Sequence, residues 1–207
     1  NWMMGTPGFD QLRFPDLRVF AYGAAPMPVP LLARAIDHMR CGFLQGYGLT
    51  ETAGVLPILS PADHVLEGGV LAPPERLASA GREMLGTHIR VVDPDGHPLP
   101  VGEVGEVVAQ GLSISPGYWN LPEATVESQR NGWFHTGDLG RLDEQGYLTI
   151  VDRAKDMIIV GGENVYPREI ELALATHPDV TDCAVIGIPH PVWGEEVLAF
   201  VAQKPDA

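Results

Sequence analysis

Residues 133–171, WFHTGDLGRLDEQGYLTIVDRAKDMIIVGGENVYPREIE, constrain the fold most, because four different local structures follow one another there without a spacer. His135-Thr136-Gly137-Asp138 reads as a turn that sets a carboxylate between Gly137 and Gly140. Residues 139–152 alternate apolar and polar around Asp143-Glu144-Gln145-Gly146, the pattern of a hairpin. A charged joint, Asp152-Arg153-Ala154-Lys155-Asp156, has no apolar period of its own. An apolar strand at 157–160 then runs into Gly161-Gly162-Glu163-Asn164, and Pro167 opens a helix in its first turn. An acid able to reach a sugar, a charged joint and a glycine turn in one stretch suggest a site shared between two moving bodies.

The rest of the chain reads as short strands and turns, in keeping with 24 glycines and 19 prolines in 207 residues. Residues 1–16 show no period and are expected to be loop with a single helical turn. Residues 17–23 predict a buried strand, 30–39 a helix after a proline start, and 41–48 a second strand. This is a strand–helix–strand opening in which both glycine-bearing turns follow strand ends, where open α/β sheets bind ligands. Residues 55–59 predict a further strand, and 60–80, rich in proline and alanine, a surface excursion. Residues 87–93 and 105–109 predict a hairpin. Asn120 is the expected N-cap of a helix to about residue 130. Beyond the joint, a helix at 168–176 and strands at 182–188 and 196–202 begin a separate α+β unit.

A 45% hydrophobic and 19% charged composition is that of a globular chain. The net charge of −14, without a lysine or arginine cluster, argues against nucleic acid and anionic membrane surfaces as partners, since both need a basic face. No apolar stretch reaches transmembrane length, and Asn1-Trp2-Met3-Met4 does not open a signal peptide. Cys41 and Cys183 lie far apart in apolar runs and read as free thiols, which points to the cytoplasm. Seven histidines show no metal-ligand spacing, and His177 and His190, each before a proline, read as loop residues.

Five motifs in order carry a resemblance across nearly the whole chain. They are Tyr22-Gly23-Ala24-Ala25-Pro26, Gln45-Gly46-Tyr47-Gly48-Leu49-Thr50-Glu51, the Thr136-Gly137-Asp138 run, Arg153-Ala154-Lys155, and the GGENVYPREIE segment from Gly161. Together they resemble the adenylate-forming superfamily of acyl-CoA synthetases, peptide-synthetase adenylation domains and beetle luciferases. The second and last runs resemble the CoA ligases more than the amino-acid-activating domains.

The resemblance implies a mixed α/β and β fold. Residues 1–153 would be the C-terminal part of the large AMP-binding domain, including a small β-barrel subdomain, and 154–207 an incomplete mobile α+β domain. It implies ATP, AMP, Mg2+ and coenzyme A as ligands and a small-molecule carboxylic acid as substrate. Gly23, Ala24 and Ala25 would wall the adenine slot. Gln45 would bond the base edge, Tyr47 lie against it and Gly48 admit the backbone. Thr50 would donate to phosphate, and Glu51 would hold Mg2+. Asp138 would accept from the ribose hydroxyls, Arg153 would reach ribose or phosphate, and Ile150 would pack on the nucleoside. Lys155 would be the hinge, and Gly161 and Gly162 would line the pantetheine tunnel. Gly46 falls at the acyl pocket, where a glycine favours longer aliphatic or aryl acids. Taken singly, each residue also has an ordinary structural reading: a turn-capping Asp138, an Arg153 paired with Asp152 or Asp156, a surface Lys155.

The acceptor stays open between CoA and a carrier protein, with a noncatalytic nucleotide-binding fragment as the third reading. No glycine- and serine/threonine-rich phosphate loop precedes Gly23, and Lys204 lacks the glycine-lysine context of an adenylating lysine. The chain alone is therefore expected to bind AMP weakly and not to form acyl-adenylate.

Overall fold

The computed structural model describes residues 3–25 and 27–204. Pro26 of the first motif and the terminal 205–207 lie outside the described residues. Two 3-10 turns, Met3–Gly5 and Phe9–Gln11, replace the single turn expected at the start.

Strand β1 (Val19–Gly23), helix α1 (Val29–Met39) and strand β2 (Gly42–Gly46) form the expected strand–helix–strand opening. Strand β1 is not the buried strand expected, however: Val19, Ala21 and Gly23 are exposed and only Phe20 and Tyr22 turn inward. The two strands are parallel, in register from Val19 opposite Gly42 to Gly23 opposite Gly46. Helix α1 buries Leu32, Ala35 and Met39, the three- and four-residue spacing of one helical face. They pack with Phe9, Phe43, Ala72 and Leu77 in one cluster. Strand β3 (Pro57–Leu59) adds antiparallel to β2.

The segment expected as a surface excursion is part of the core instead. It holds α2 (Pro61–His64), a small ladder of β4 (Val65–Leu66) and β5 (Val70–Leu71), and α3 (Pro74–Leu77). Asp63, His64, Ala72, Leu77, Ser79 and Ala80 are buried. Two four-residue helices with a proline at their start are too short to show a helical period in sequence. Strand β6 (Arg82–Glu83) completes a sheet of order β1-β2-β3-β6.

A five-stranded sheet follows. Its strands are β7 (Thr87–Val92), β8 (Gly105–Gly111), β9 (Gln129–Arg130), β10 (Trp133–Leu142) and β11 (Leu148–Arg153). The order is β11-β10-β8-β7, with β9 on β10. Helix α4 (Pro122–Ser128) is capped at Leu121, not Asn120. Asn120 takes a left-handed backbone, φ 53°, which asparagine tolerates better than most residues. Asp143 closes the expected hairpin turn: its Oδ1 accepts from the N–H groups of Gln145 and Tyr147 at 2.9 and 2.8 Å. The Thr136-Gly137-Asp138 run is not a turn. It lies inside β10, where Gly137 at φ 73° makes the strand locally irregular.

The last sheet has the order β13-β12-β15-β14. Strands β12 (Ile158–Val160) and β13 (Glu163–Val165) form a hairpin that places Glu163 and Asn164 in a strand rather than a turn. Its two-residue loop is Gly161-Gly162, at φ 60° and 94°, the left-handed pair that such a loop demands. Helix α5 (Pro167–Leu174) precedes the long hairpin of β14 (Val180–His190) and β15 (Gly194–Gln203). His190 is the last residue of β14, not a loop residue, and its Nδ1 accepts from the backbone N–H of Val192 and Trp193.

The chain groups into two compact units. One comprises Asn1–Arg90, Val108–Thr136 and Leu142–Thr149; the other comprises Val91–Val107, Gly137–Arg141 and Ile150–Ala207. Among the described residues no helix is long and apolar enough to cross a membrane. Cys41 and Cys183 are both free and half-buried.

Candidate active site

In the first unit the parallel pair β1–β2 sets the geometry. Register puts Tyr22 opposite Gln45 and Gly23 opposite Gly46 at the C-terminal strand ends, the side on which parallel sheets bind ligands. A Cβ at Gly23 would lie 2.5 Å from the carbonyl oxygen of Gly46, so this wall admits only backbone. Ala24 follows in left-handed conformation, φ 64°, and Ala25 is exposed beside it. A Cβ at Gly48 would collide with the carbonyl of Gly54, and one at Gly46 would stand 3.0 Å from Cγ2 of Val55. The side-chain carbonyl oxygen of Gln45 is buried without a hydrogen-bond partner. No donor reaches it among the described residues, and a buried acceptor without one costs about 1–3 kcal/mol.

Tyr47 is half-buried, its backbone bonded to Pro57 and Leu56 across the loop. Thr50 and Glu51 open a 3-10 turn, Thr50–Thr52, in which Thr52 is the buried member. The Thr52 hydroxyl bridges Leu49 N at 3.0 Å and Leu49 O at 2.9 Å, leaving the Thr50 hydroxyl exposed. Glu51 is held from two sides. Its carbonyl accepts from Ser115 N at 2.7 Å, and its Oε1 accepts from the Tyr118 hydroxyl at 2.7 Å. The hydrogen bond to Glu51 pushes the Tyr118 phenol above its ordinary range, with burial and the glutamate charge adding to it. Oε2 of Glu51 has no partner among the described residues. A carboxylate oxygen and an adjacent hydroxyl are hard donors that suit Mg2+.

A buried network underlies this wall. His64 is fully buried, and its Nδ1 donates to the Ser60 carbonyl at 2.7 Å, which leaves Nε2 to accept from the Tyr22 hydroxyl at 2.9 Å. Burial lowers the pKa of His64 and raises that of Tyr22, so both stay neutral. Next to it, Asp63 accepts from Ser60 N and Oγ at 3.0 and 2.6 Å and from the Tyr147 hydroxyl at 2.6 Å, with Arg82 at 3.6 Å. Burial opposes its charge, but these hydrogen bonds and Arg82 outweigh it and hold the carboxyl below its usual value.

In the second unit Asp138 and Arg153 form a pair: Arg153 Nε stands 3.1 Å from Oδ1 of Asp138. Asp138 is buried and Arg153 half-exposed. Arg153 therefore pairs with neither Asp152 nor Asp156. Asp152 instead accepts from its neighbour's N–H and from Arg168 N. The irregularity at Gly137 is fixed by Glu106, which accepts from Gly137 N at 3.2 Å, and by Ala154 N bonding the Gly137 carbonyl at 2.9 Å. Ile150 is half-buried on β11. Lys155 is exposed in the turn after β11 and borders an open cavity of about 400 Å3. Two of that cavity's carboxylates already accept from backbone, Glu171 from Val185 N and Glu195 from Ile159 N. A Cβ at Gly161 would lie 2.8 Å from the Trp193 ring, whose carbonyl accepts from Gly161 N.

The ligand atoms of Asp93, Asp95 and His97 also lie within 4.8 Å of one another. The Asp93 carboxylate there serves its own turn, accepting from Asp95 N and His97 N. Tyr118, His64 and Glu106 were not singled out in the sequence. Their partners lie 67, 42 and 31 residues away, and no local spacing reports such pairings.

The chain matches the AMP-binding enzyme family over residues 2–119, more than half its length, and the C-terminal domain of AMP-binding enzymes over 169–207. A feruloyl-CoA synthase from an Amycolatopsis species is 47% identical over 186 residues, covering 90% of this chain and 36% of the relative. A fatty acid–[acyl-carrier-protein] ligase, ScoC, from Streptomyces coeruleorubidus is 43% identical over 203 residues, covering 98% of this chain and 38% of the relative. Among solved structures, the amide bond synthetase McbA from Marinactinospora thermotolerans superposes with a TM-score of 0.87 at 37% identity, covering 98% of this chain and 40% of that one. The chain thus spans well under half the length of these relatives. With its glycine-walled strand ends and its motifs in order, the chain belongs to the AMP-binding enzyme family, the adenylate-forming ligases.

Proposed function

We propose that the protein carrying this chain is an ATP-dependent acid–thiol ligase. A carboxylate oxygen attacks the α-phosphorus of ATP, pyrophosphate leaves, and the acyl-adenylate then yields its acyl group to the thiol of CoA with release of AMP. The observation that carries this reading is the pair of parallel strand ends where Gly23 admits only backbone, beside a Gln45 side-chain carbonyl that has no partner among the described residues. The adenine base lies at these strand ends, with Gln45, Ala24, Ala25, Tyr47 and Gly48 around it.

The remaining roles follow from chemistry. Thr50 donates to phosphate oxygen, and Asp138, oriented by Arg153, accepts from the ribose hydroxyls. Ile150 packs on the nucleoside. Glu51 is the residue that would hold Mg2+, which when bound neutralises phosphate charge as pyrophosphate departs. Lys155 is the pivot between the two half-reactions, and Gly161-Gly162 passes the thiol arm. At Gly46 the space a side chain would take is already filled by Val55, so the two residues together form the wall against which the acyl chain lies.

One relative favours a second acceptor: ScoC, similar over 98% of the chain, transfers to an acyl-carrier protein by its name. A panel of aryl and fatty acids, assayed for acid-dependent pyrophosphate release by the full protein and then for AMP release with CoA or with a carrier protein, tests the proposal. Pyrophosphate release with AMP release on CoA alone supports the ligase as stated. AMP release only with the carrier moves the acceptor, and no acid-dependent pyrophosphate release sinks the reading.

A further inference from the structure

We propose that Tyr118 is a positioning residue for metal binding, its hydroxyl fixing the Glu51 carboxylate so that one oxygen is presented to the divalent cation. The inference rests on the reading of Glu51 as the Mg2+ ligand. Tyr118 donates to Oε1 at 2.7 Å, while Oε2 has no partner among the described residues. One oxygen is thus committed and the other left for a ligand.

The tyrosine is itself anchored. Its backbone N–H donates to Thr125 Oγ1 at 2.9 Å, and that hydroxyl donates to the Leu121 carbonyl within the first turn of α4. Three residues earlier, Ser115 N donates to the Glu51 carbonyl at 2.7 Å, and the Ser115 carbonyl accepts from Gln129 at 2.7 Å. Main chain and side chain of Glu51 are therefore gripped by one short loop, 115–118, that is tied to α4 and to Gln129. Gly117 in that loop has φ 141°, and a side chain there would run into Thr125, so the loop has little freedom to re-aim the phenol.

The chemistry explains why such a grip matters. Mg2+ demands near-octahedral geometry, and a freely rotating glutamate meets that demand only part of the time. Partners that orient a ligating group without touching the metal typically govern metal affinity by ten- to a hundredfold. The phenol carries a single O–H donor, and the 2.7 Å bond commits that proton to Oε1 of Glu51.

The experiment is Tyr118→Phe in the full protein, which deletes the hydroxyl and keeps the ring. Metal affinity is measured by calorimetry with Mg2+, and by electron paramagnetic resonance with Mn2+, in the presence of an ATP analogue whose α and β phosphorus atoms are bridged by methylene. The expected result is about a tenfold weaker metal affinity, with the affinity for metal-free AMP unchanged. Glu51→Gln and the double variant complete a cycle, in which the effect of Tyr118→Phe is expected to vanish in the Glu51→Gln background. An unchanged metal affinity in Tyr118→Phe, or an equal loss in both backgrounds, overturns the role of Tyr118. If Glu51→Gln itself leaves metal affinity unchanged, the assignment of Glu51 fails first, and the two failures are distinguishable.

Discussion

The Asp63 network makes a quantitative prediction through Tyr147→Phe. Asp63 and Tyr147 are 7% and 5% exposed, and the Tyr147 hydroxyl donates to Oδ1 of Asp63 at 2.6 Å. Phenylalanine keeps the ring, so the stacking of Arg76 and Arg82 over it, at 4.8 and 5.0 Å, is retained. What is lost is one hydrogen bond to a buried charge, worth about 1.5–3 kcal/mol. Oδ2 keeps its two bonds from Ser60, and Arg82 at 3.6 Å can close on Oδ1 and recover a part. The expected loss is therefore in the middle of that range, about 2 kcal/mol at pH 7.

The same geometry fixes the sign of the pH dependence. The folded Asp63 carboxyl is held below its ordinary value despite burial, chiefly by the bonds from Ser60 and Tyr147. Its contribution to stability is thus complete above the unfolded value near 3.9 and is lost as pH falls through the lower folded value. Removing the phenol raises the folded pKa, so the gap between wild type and variant must narrow as the solution is acidified below about pH 4. Urea titrations at pH 7 and pH 3, followed by tryptophan fluorescence and circular dichroism together, read both quantities. With an m-value of about 2 kcal/mol per molar, the midpoint at pH 7 should drop by about 1 M. A drop under about 0.2 M would refute the reasoning, as would a gap that is the same at both pH values.

Two further predictions concern the proposed ligand contacts. Asp138→Ala should weaken AMP binding by about 2–4 kcal/mol, read by calorimetry; unaltered affinity would remove Asp138 from the ribose site. Lys155→Pro should fold, since the Lys155 N–H has no bond among the described residues, and should slow thioester formation far more than pyrophosphate release in the full protein. Equal losses in the two half-reactions would remove Lys155 as the pivot.

Which parts of this chain were legible depends on how far apart the cooperating residues lie. The strand–helix–strand opening could be read because Leu32, Ala35 and Met39 repeat at helical spacing between two apolar runs. The β10–β11 hairpin could be read because Asp143 and Gly146 are local turn chemistry. Residues 60–80 could not: their burial comes from Asp63 reaching Tyr147, 84 positions on, and His64 reaching Tyr22, 42 positions back. The Thr136-Gly137-Asp138 run was misread as a turn for a related reason. A glycine with positive φ beside an aspartate is turn chemistry everywhere, and only the ladder partners of β10 decide that it is a strand irregularity. The same limit governs the candidate site. Gln45, Glu51, Asp138 and Arg153 stand out as residue types in motifs, whereas the groups that aim them become visible only in three dimensions. Tyr118 is the clearest instance: a half-exposed aromatic in a loop carries no local signal, yet a single 2.7 Å bond makes the direction of Glu51 depend on it.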